Sequence, residues 1–280
     1  MARIRPSHYV LGVQGLALLR NWFRGEETAT PRLEELAQTI AGLEQSPINR
    51  SFELHEMNVT DGYAAWSSVY DGGGNPLINA EEPVVHELID RFPSGRALDA
   101  ACGTGRHTRH LRSRGHQVTA IDITPHMLDQ ARLKVPDAAF CLGGLAALPF
   151  EDAAFDLAVC SLALEHTPDM TGPIGELARV VRPGGWAIIS DFHPINRLLG
   201  GGAFFRSDDG RMGIVQSFYH GHAAYISAFI SAGFEIRECA EPRWGEAEVK
   251  MIAGSPAAPE AFRAAMVGLP LAVVWLLARR

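Results

Sequence analysis

Long basic runs are missing from this chain. Nothing exceeds Arg279-Arg280, and the net charge is −7 at pH 7. A nucleic-acid binder ordinarily carries a basic stripe, so that class of partner is not expected. Cysteine is sparse as well: Cys102, Cys141, Cys160 and Cys239 form no close CxxC pair, which argues against a zinc site or a disulfide framework. The first three lie in apolar, strand-like runs, which suits buried free thiols and a reducing cytoplasm. The apolar run Tyr9–Leu19 is too short to span a bilayer. Asn21-Trp22-Phe23-Arg24 follows it, where a signal peptide would place small residues for cleavage. Internal repeats and low-complexity tracts are also lacking. What is present is ordinary globular material, 47% hydrophobic and 20% charged over 280 residues. That suffices for one sizeable α/β domain with extra elements.

Residues 1–80 read as a helical extension. A helix is expected over 7–24, with Ser7 as N-cap, and it is apolar almost all round (Val10, Leu11, Val13, Leu16, Leu18, Leu19, Trp22, Phe23). Such a helix must pack on something, so a contact with another subunit, as in a homo-oligomer, or over the active site is expected, with folding back on its own domain as the alternative. A second helix is expected over 31–44, capped by Thr30 with Pro31 at its first position. Residues 45–80 are mixed, with turn signals at Asp61-Gly62 and Asp71-Gly72-Gly73-Gly74. A helix follows over 82–91.

From residue 81 to 280 short apolar strands alternate with helices. Strands are expected at 96–101, 118–121, 139–142, 155–162, 186–190, 234–239 and 271–277. This order implies a doubly wound α/β sheet. A glycine- and aromatic-rich insertion, 194–220, follows one strand end, the edge where such sheets bind ligands.

The chemistry concentrates in the run from Leu98 to Gly105. A strand enters a glycine turn, Gly103-Thr104-Gly105, and then a helix, which lets a ligand approach backbone and free N–H groups closely. Thr108 stands where a dinucleotide fingerprint would put its third glycine, which damages a nicotinamide reading. Asp122 ends the next strand. It can accept two hydrogen bonds from ribose hydroxyls, or it can cap the following helix.

Four ordered motifs then match one family. Residues 97–105 resemble motif I of class I S-adenosylmethionine-dependent methyltransferases, and 120–128 their second motif. Leu148-Pro149-Phe150-Glu151-Asp152-Ala153-Ala154-Phe155-Asp156 resembles the LPF-x-D-xx-FD run of the type 11, ubiquinone/menaquinone methyltransferase-like group, and 177–185 its turn before the fifth strand. The resemblance implies a Rossmann-like seven-stranded sheet of order 3-2-1-4-5-7-6, strand 7 antiparallel, with the N-terminal helical extension added. It implies S-adenosyl-L-methionine as cofactor, held by Asp99, Ala101, Gly103, Gly105, Asp122, Ile123, Met127, Gly144, Leu145 and Ser161, with Tyr63 and Tyr70 in a capping segment. Gly143-Gly144-Leu145 replaces the family's acidic residue at the adenine.

Methyl transfer from a sulfonium needs positioning, and a base only where the acceptor must lose a proton. His166 and His193, after the fourth and fifth strands, are the catalytic candidates; either can instead bond backbone or position the cofactor. His220 and His222 with Asp191 and His193 show no recognised ligand spacing, so no metal is expected. Trp66, Phe204, Phe205, Phe218 and Tyr219 suit an apolar or planar acceptor pocket, or cover for a sheet edge. The expected function is methylation of a small natural product, or a quinone-like or prenylated compound, with teleocidin-type C-methyltransferases among the relatives the pattern suggests. A non-catalytic S-adenosylmethionine-binding protein and a nicotinamide oxidoreductase are the alternatives.

Overall fold

The computed structural model describes residues 2–72 and 74–280; Met1 and Gly73 lie outside it, the latter within the expected glycine turn. The chain opens with strand β1 (Ala2–Ile4), helices α1 (Pro6–Arg20) and α2 (Glu26–Ala41), strand β2 (Phe52–Met57), and helices α3 (Val59–Trp66) and α4 (Pro76–Ile89). Next come β3 (Arg96–Ala100), α5 (Arg106–Ser113), β4 (Gln117–Asp122), α6 (Pro125–Lys134), β5 (Ala139–Leu142), β6 (Phe155–Ser161), α7 (Thr171–Val180) and β7 (Val181–Phe192). The remainder is α8 (Pro194–Leu198), β8 (Phe204–Arg206), β9 (Met212–Val215), α9 (His222–Ser231), β10 (Phe234–Ala240), α10 (Glu246–Lys250), α11 (Pro259–Met266) and β11 (Ala272–Arg279).

The main sheet has seven strands in the order β10-β11-β7-β6-β3-β4-β5. Strand β11 runs antiparallel to both neighbours, and the β7-β6-β3-β4-β5 pairs are parallel. Renumbered along the sheet this is 3-2-1-4-5-7-6, the expected order with the expected reversed strand. Helices cover both faces, so the central strands are apolar on both sides. One face packs Leu98, Ile121, Cys160 and Ile189 with Leu177 and Phe229. The other packs Ala97, Val159 and Ile188 with Val85, Leu88 and Leu111.

Helix boundaries near the N-terminus differ from the sequence expectation. Helix α1 starts at Pro6, and Ser7 is not its cap; the Ser7 hydroxyl lies 3.2 Å from Asn49 Oδ1. Helix α2 starts at Glu26 and runs through Pro31, because Gly25, at φ 86°, turns the chain and two glutamates favour the first turn. Helix α4 begins six residues before Glu82. Asn75 accepts from the Leu77 and Ile78 amides and Pro76 occupies the first position, a cap-and-proline start.

A second sheet, of order β1-β2-β9-β8, joins residues 2–57 to the insertion. Two of its pairings are long-range, as in Leu54 against Met212 and Ala2 against Leu54, and the third is the local hairpin of β8 and β9. Helix α1 lies on α11: Val10, Val13 and Ala17 pack with Phe262, Met266 and Leu271. Arg20 Nη1 reaches the Ala265 and Val267 carbonyls, at 2.5 and 3.0 Å, and so satisfies the C-terminal end of α11. The tip beyond α1 stays bare, with Trp22 74% and Phe23 97% exposed. Among the described residues no helix is long and apolar enough to cross a membrane.

Candidate active site

The glycine turn leaves β3 through residues of positive φ, Ala101 at 59°, Gly103 at 52° and Gly105 at 85°. A Cβ at Gly105 would meet Ala131 of α6 at 3.1 Å, so this glycine lets α5 and α6 approach. At Gly103 a Cβ would meet nothing within 4 Å. That open backbone face is where a ligand can lie on the turn. Asp99 is buried and its Oδ2 takes the Thr108 hydroxyl at 2.5 Å, which fixes the carboxyl behind the turn.

Asp122 organises the next edge. Its Oδ2 accepts from the Gly103 amide and its Oδ1 from the Thr124 amide, both at 2.8 Å. Burial pushes this carboxyl up from its ordinary value and the two amides oppose that. Each oxygen keeps a lone pair for a ribose hydroxyl. Asp122 therefore ties the glycine turn to the chain just before α6; the cap residue of that helix is Thr124, so Asp122 is not the helix cap. Beside it Ile123 is exposed, and a Cβ at Gly144 would touch Ile123 Cδ1 at 3.4 Å. Ile123 and Gly144 thus lie side by side next to Asp122. Met127 does not join them. At 1% exposure on α6 it is core, with no surface for a ligand to touch. Ser161, at the end of β6, has a buried hydroxyl with no partner.

Helix α3 and the chain after it lie across the turn. Asp71 accepts from the Thr104 hydroxyl at 2.8 Å and pairs with Lys134 of α6. The rings form a slab: Tyr63 stacks on Trp66 and Trp66 on Phe205, with Tyr70 edge-on to both Tyr63 and Trp66. Val215 of β9 fills the space left by Gly62, so the second sheet presses this slab into place.

His166 meets the slab. Its Nδ1 lies 2.7 Å from the Gln216 carbonyl, which requires a proton on Nδ1. Its Nε2 then accepts from the Tyr63 hydroxyl at 2.8 Å. Burial lowers the His166 pKa, so the ring is neutral near pH 7. Burial first, then Tyr70 and Glu165, holds the Tyr63 phenol well above its ordinary value. Below the pair sit two buried carboxyls. Burial pushes both Glu165 and Asp191 well above the ordinary carboxylate range, and Asp191 accepts from the Tyr225 hydroxyl at 2.7 Å. The Glu165 Oε2 has no partner.

Three features escaped the sequence reading. Glu81, with no exposed surface, pairs with Arg106 at 2.5 Å and accepts from the Ser190 hydroxyl at 2.5 Å, directly behind the glycine turn. Burial alone would raise its carboxyl, but Arg106 and His107 draw it far below the usual range. The second feature is the Tyr63–His166 pairing itself. The third concerns His193, which stands apart from that pair. Its Nε2 lies 3.2 Å from Glu241 and its Nδ1 accepts from the Ile195 amide, capping α8. Of the residues grouped with it in the sequence, His222 stays beside it, its Nε2 3.3 Å from the same Glu241 oxygen, while Asp191 binds Tyr225 and His220 reaches the Thr167 carbonyl at 2.8 Å.

A family model described as a methyltransferase domain matches residues 98–189. Over 98 residues the chain is 42% identical to a malonyl-[acyl-carrier protein] O-methyltransferase of Serratia marcescens, covering 35% of this chain and 38% of that one. Over 112 residues it is 33% identical to a demethylmenaquinone methyltransferase of Renibacterium salmoninarum, covering 40% and 47%. The chain thus spans less than half the length of either relative. An S-adenosylmethionine dependent methyltransferase from Mesorhizobium loti superposes with a TM-score of 0.55 at 23% identity, over 71% of this chain and 98% of that one, which is a likeness of fold.

Proposed function

We propose that this chain, which carries a class I S-adenosylmethionine-dependent methyltransferase domain of the type 11 group, methylates a small planar or prenylated acceptor of the quinone-like or natural-product kind. The observation that supports this most is the placement of the Tyr63–His166 pair and its aromatic slab against the glycine turn bordered by Asp122. When bound, S-adenosyl-L-methionine supplies an activated methyl group. Asp122 would hold its ribose, Ile123 with Gly144 and Leu145 its adenine, and the open face of Gly103 its backbone approach. Ala101, Gly105, Tyr70 and the partnerless Ser161 hydroxyl would complete the cofactor's site.

The chain's own residues can move one proton. An acidic hydroxyl on the acceptor gives its proton to Tyr63 Oη, and Tyr63 passes its own to His166 Nε2. The imidazolium so formed keeps its Nδ1–H on the Gln216 carbonyl. Tyr63 stays a neutral phenol throughout, in keeping with its raised pKa. His193 lacks any hydrogen bond to this relay, so the catalytic role foreseen for it passes to Tyr63. The stacked rings favour a flat partner over a charged one.

Labelled S-adenosylmethionine with a panel of hydroxyquinones, phenols and prenylated alkenes tests this. With a hydroxyl acceptor, Tyr63→Phe should cut turnover by roughly 10²-fold and leave cofactor affinity unchanged. Equal loss of both would make Tyr63 a cofactor-positioning residue. Turnover of an alkene unaffected by the substitution would move the function to carbon methylation, which needs no prior proton loss. No transfer to any acceptor, with cofactor bound, would leave a binding protein. We also propose that two copies meet through the bare tip around Trp22 and Phe23, and that the four free thiols reside in a reducing cytoplasm.

A further inference from the structure

His193, His222 and Glu241 come from three separate elements: the end of β7, the first residue of α9, and the residue after β10. All three stand at the carboxyl edge of the main sheet, since β7 and β10 run in the same direction about β11. Glu241 Oε1 lies 3.2 Å from His193 Nε2 and 3.3 Å from His222 Nε2, and all three donor atoms fall within 4.8 Å of one another. Bonds of roughly 2.1 Å to a tetrahedral ion place neighbouring ligand atoms about 3.4 Å apart. Two of the three edges already have that length.

One of the three donors is also short of a partner. His222 Nε2 is buried without a hydrogen bond. Among the described residues no lysine or arginine lies within ion-pair distance of Glu241, whose only charged-group neighbours are the two imidazoles. We propose that these three residues bind one divalent first-row transition ion, of the zinc type, with at least one coordination position left open. Two imidazole nitrogens and one carboxylate oxygen select such an ion over calcium or magnesium, which prefer oxygen alone.

The site also has a structural consequence. His193 and His222 are the residues immediately before and after 194–221, the segment holding α8, β8, β9 and Gln216. An ion there staples both ends of that segment to each other and, through Glu241, to the sheet. Gln216 is the residue whose carbonyl orients His166, so the staple would steady the relay from behind. One local contact opposes binding. His193 Nδ1 accepts from the Ile195 amide at 3.2 Å, so in this state its Nε2 carries the proton facing Glu241. An ion takes the Nε2 lone pair, the proton moves to Nδ1, and the α8 cap is released.

Titration calorimetry of the full chain with zinc chloride should show one saturable site per chain. Co²⁺ should bind with the visible bands of a tetrahedral ion. Glu241→Gln, nearly isosteric at an exposed position, and His222→Ala should each weaken binding at least tenfold. His193→Asn should do the same while keeping a residue able to cap α8. Amide exchange over 194–221 should slow on loading. Absence of saturable binding, or binding untouched by Glu241→Gln and His222→Ala, would overturn the site. Binding without slower exchange would overturn the staple. The readouts are independent of methyl transfer, so failure here leaves the proposed activity standing.

Discussion

Asp122→Asn separates what Asp122 does for the turn from what it does for a cofactor. The carboxylate serves two backbone amides at 2.8 Å, Gly103 and Thr124, one on each oxygen. Asparagine has a single oxygen, so one amide keeps its acceptor and the other faces an NH₂ group. A hydrogen bond to a charged group is worth about 1.5–3 kcal/mol. Against that loss, burial has already raised the Asp122 pKa, so removing the charge recovers part of its desolvation. The net fall in stability should be about 1–2 kcal/mol, a few degrees of melting temperature for a chain of this size. Cofactor binding has no such offset. At least one charge-assisted bond to ribose is lost, which at 1.4 kcal/mol per decade weakens affinity roughly 10- to 100-fold. Scanning calorimetry gives the first number, and titration with S-adenosylmethionine the second. A folded variant whose affinity stays within about threefold of the parent would remove Asp122 from the ribose site and leave it as a clamp on the turn.

Arg106→Met should destabilise the fold by about 3–5 kcal/mol in thermal unfolding, because it strands the buried Glu81 charge; adding Glu81→Gln should restore much of it, and no recovery would mean the pair is not what holds α4 behind the turn. His86 stacks on His110 at 3.7 Å, and burial first, then His107, lowers its pKa to about 3. The unfolded chain gains that proton first, so stability present above about pH 6.5 should drain away as pH falls toward 3, and His86→Gln should flatten the slope in acid melts; an unchanged slope would assign acid sensitivity elsewhere. Trp22→Ser with Phe23→Ser should lower the mass seen by light scattering without shifting the melting temperature, since both side chains are exposed; an unchanged mass would dismiss the tip as a contact between copies.

The seven-stranded sheet was legible because its strands are buried on both faces and read as short apolar runs between helices. The second sheet was not. Strand β1 has three residues, β2 (Phe52–Met57) buries only Leu54, and their partners lie far along the chain. Local pattern carries no signal for such pairings. At the site the glycine turn, Asp122 and His166 were each recognisable from neighbours in sequence. The pairing of Tyr63 with His166 was not, because 103 residues separate them. Glu81 and Arg106 escaped notice since charged residues on helices are ordinarily solvated. Met127 misled because it sits within a matching motif while its side chain faces the core. The first helix was expected to pack on another subunit or over the active site, and its buried side chains instead pack within their own chain. Val10, Val13 and Ala17 found α11, while Trp22 and Phe23 found nothing in their own chain.

Strand β11 follows β10 in the chain, yet it lies inside the sheet, with β7 on one side and β10 on the other. Until it leaves the ribosome, β10 has no strand to pair with and β7 presents a bare edge. The nascent chain therefore passes through a stage with the glycine turn and β3 to β7 already synthesised but the sheet open on its far side. An open edge of this kind is a template for pairing with other chains. Slowed synthesis or a stop codon before Ala272 should leave a product that aggregates, even though every residue assigned to the cofactor and to the proton relay is present in it.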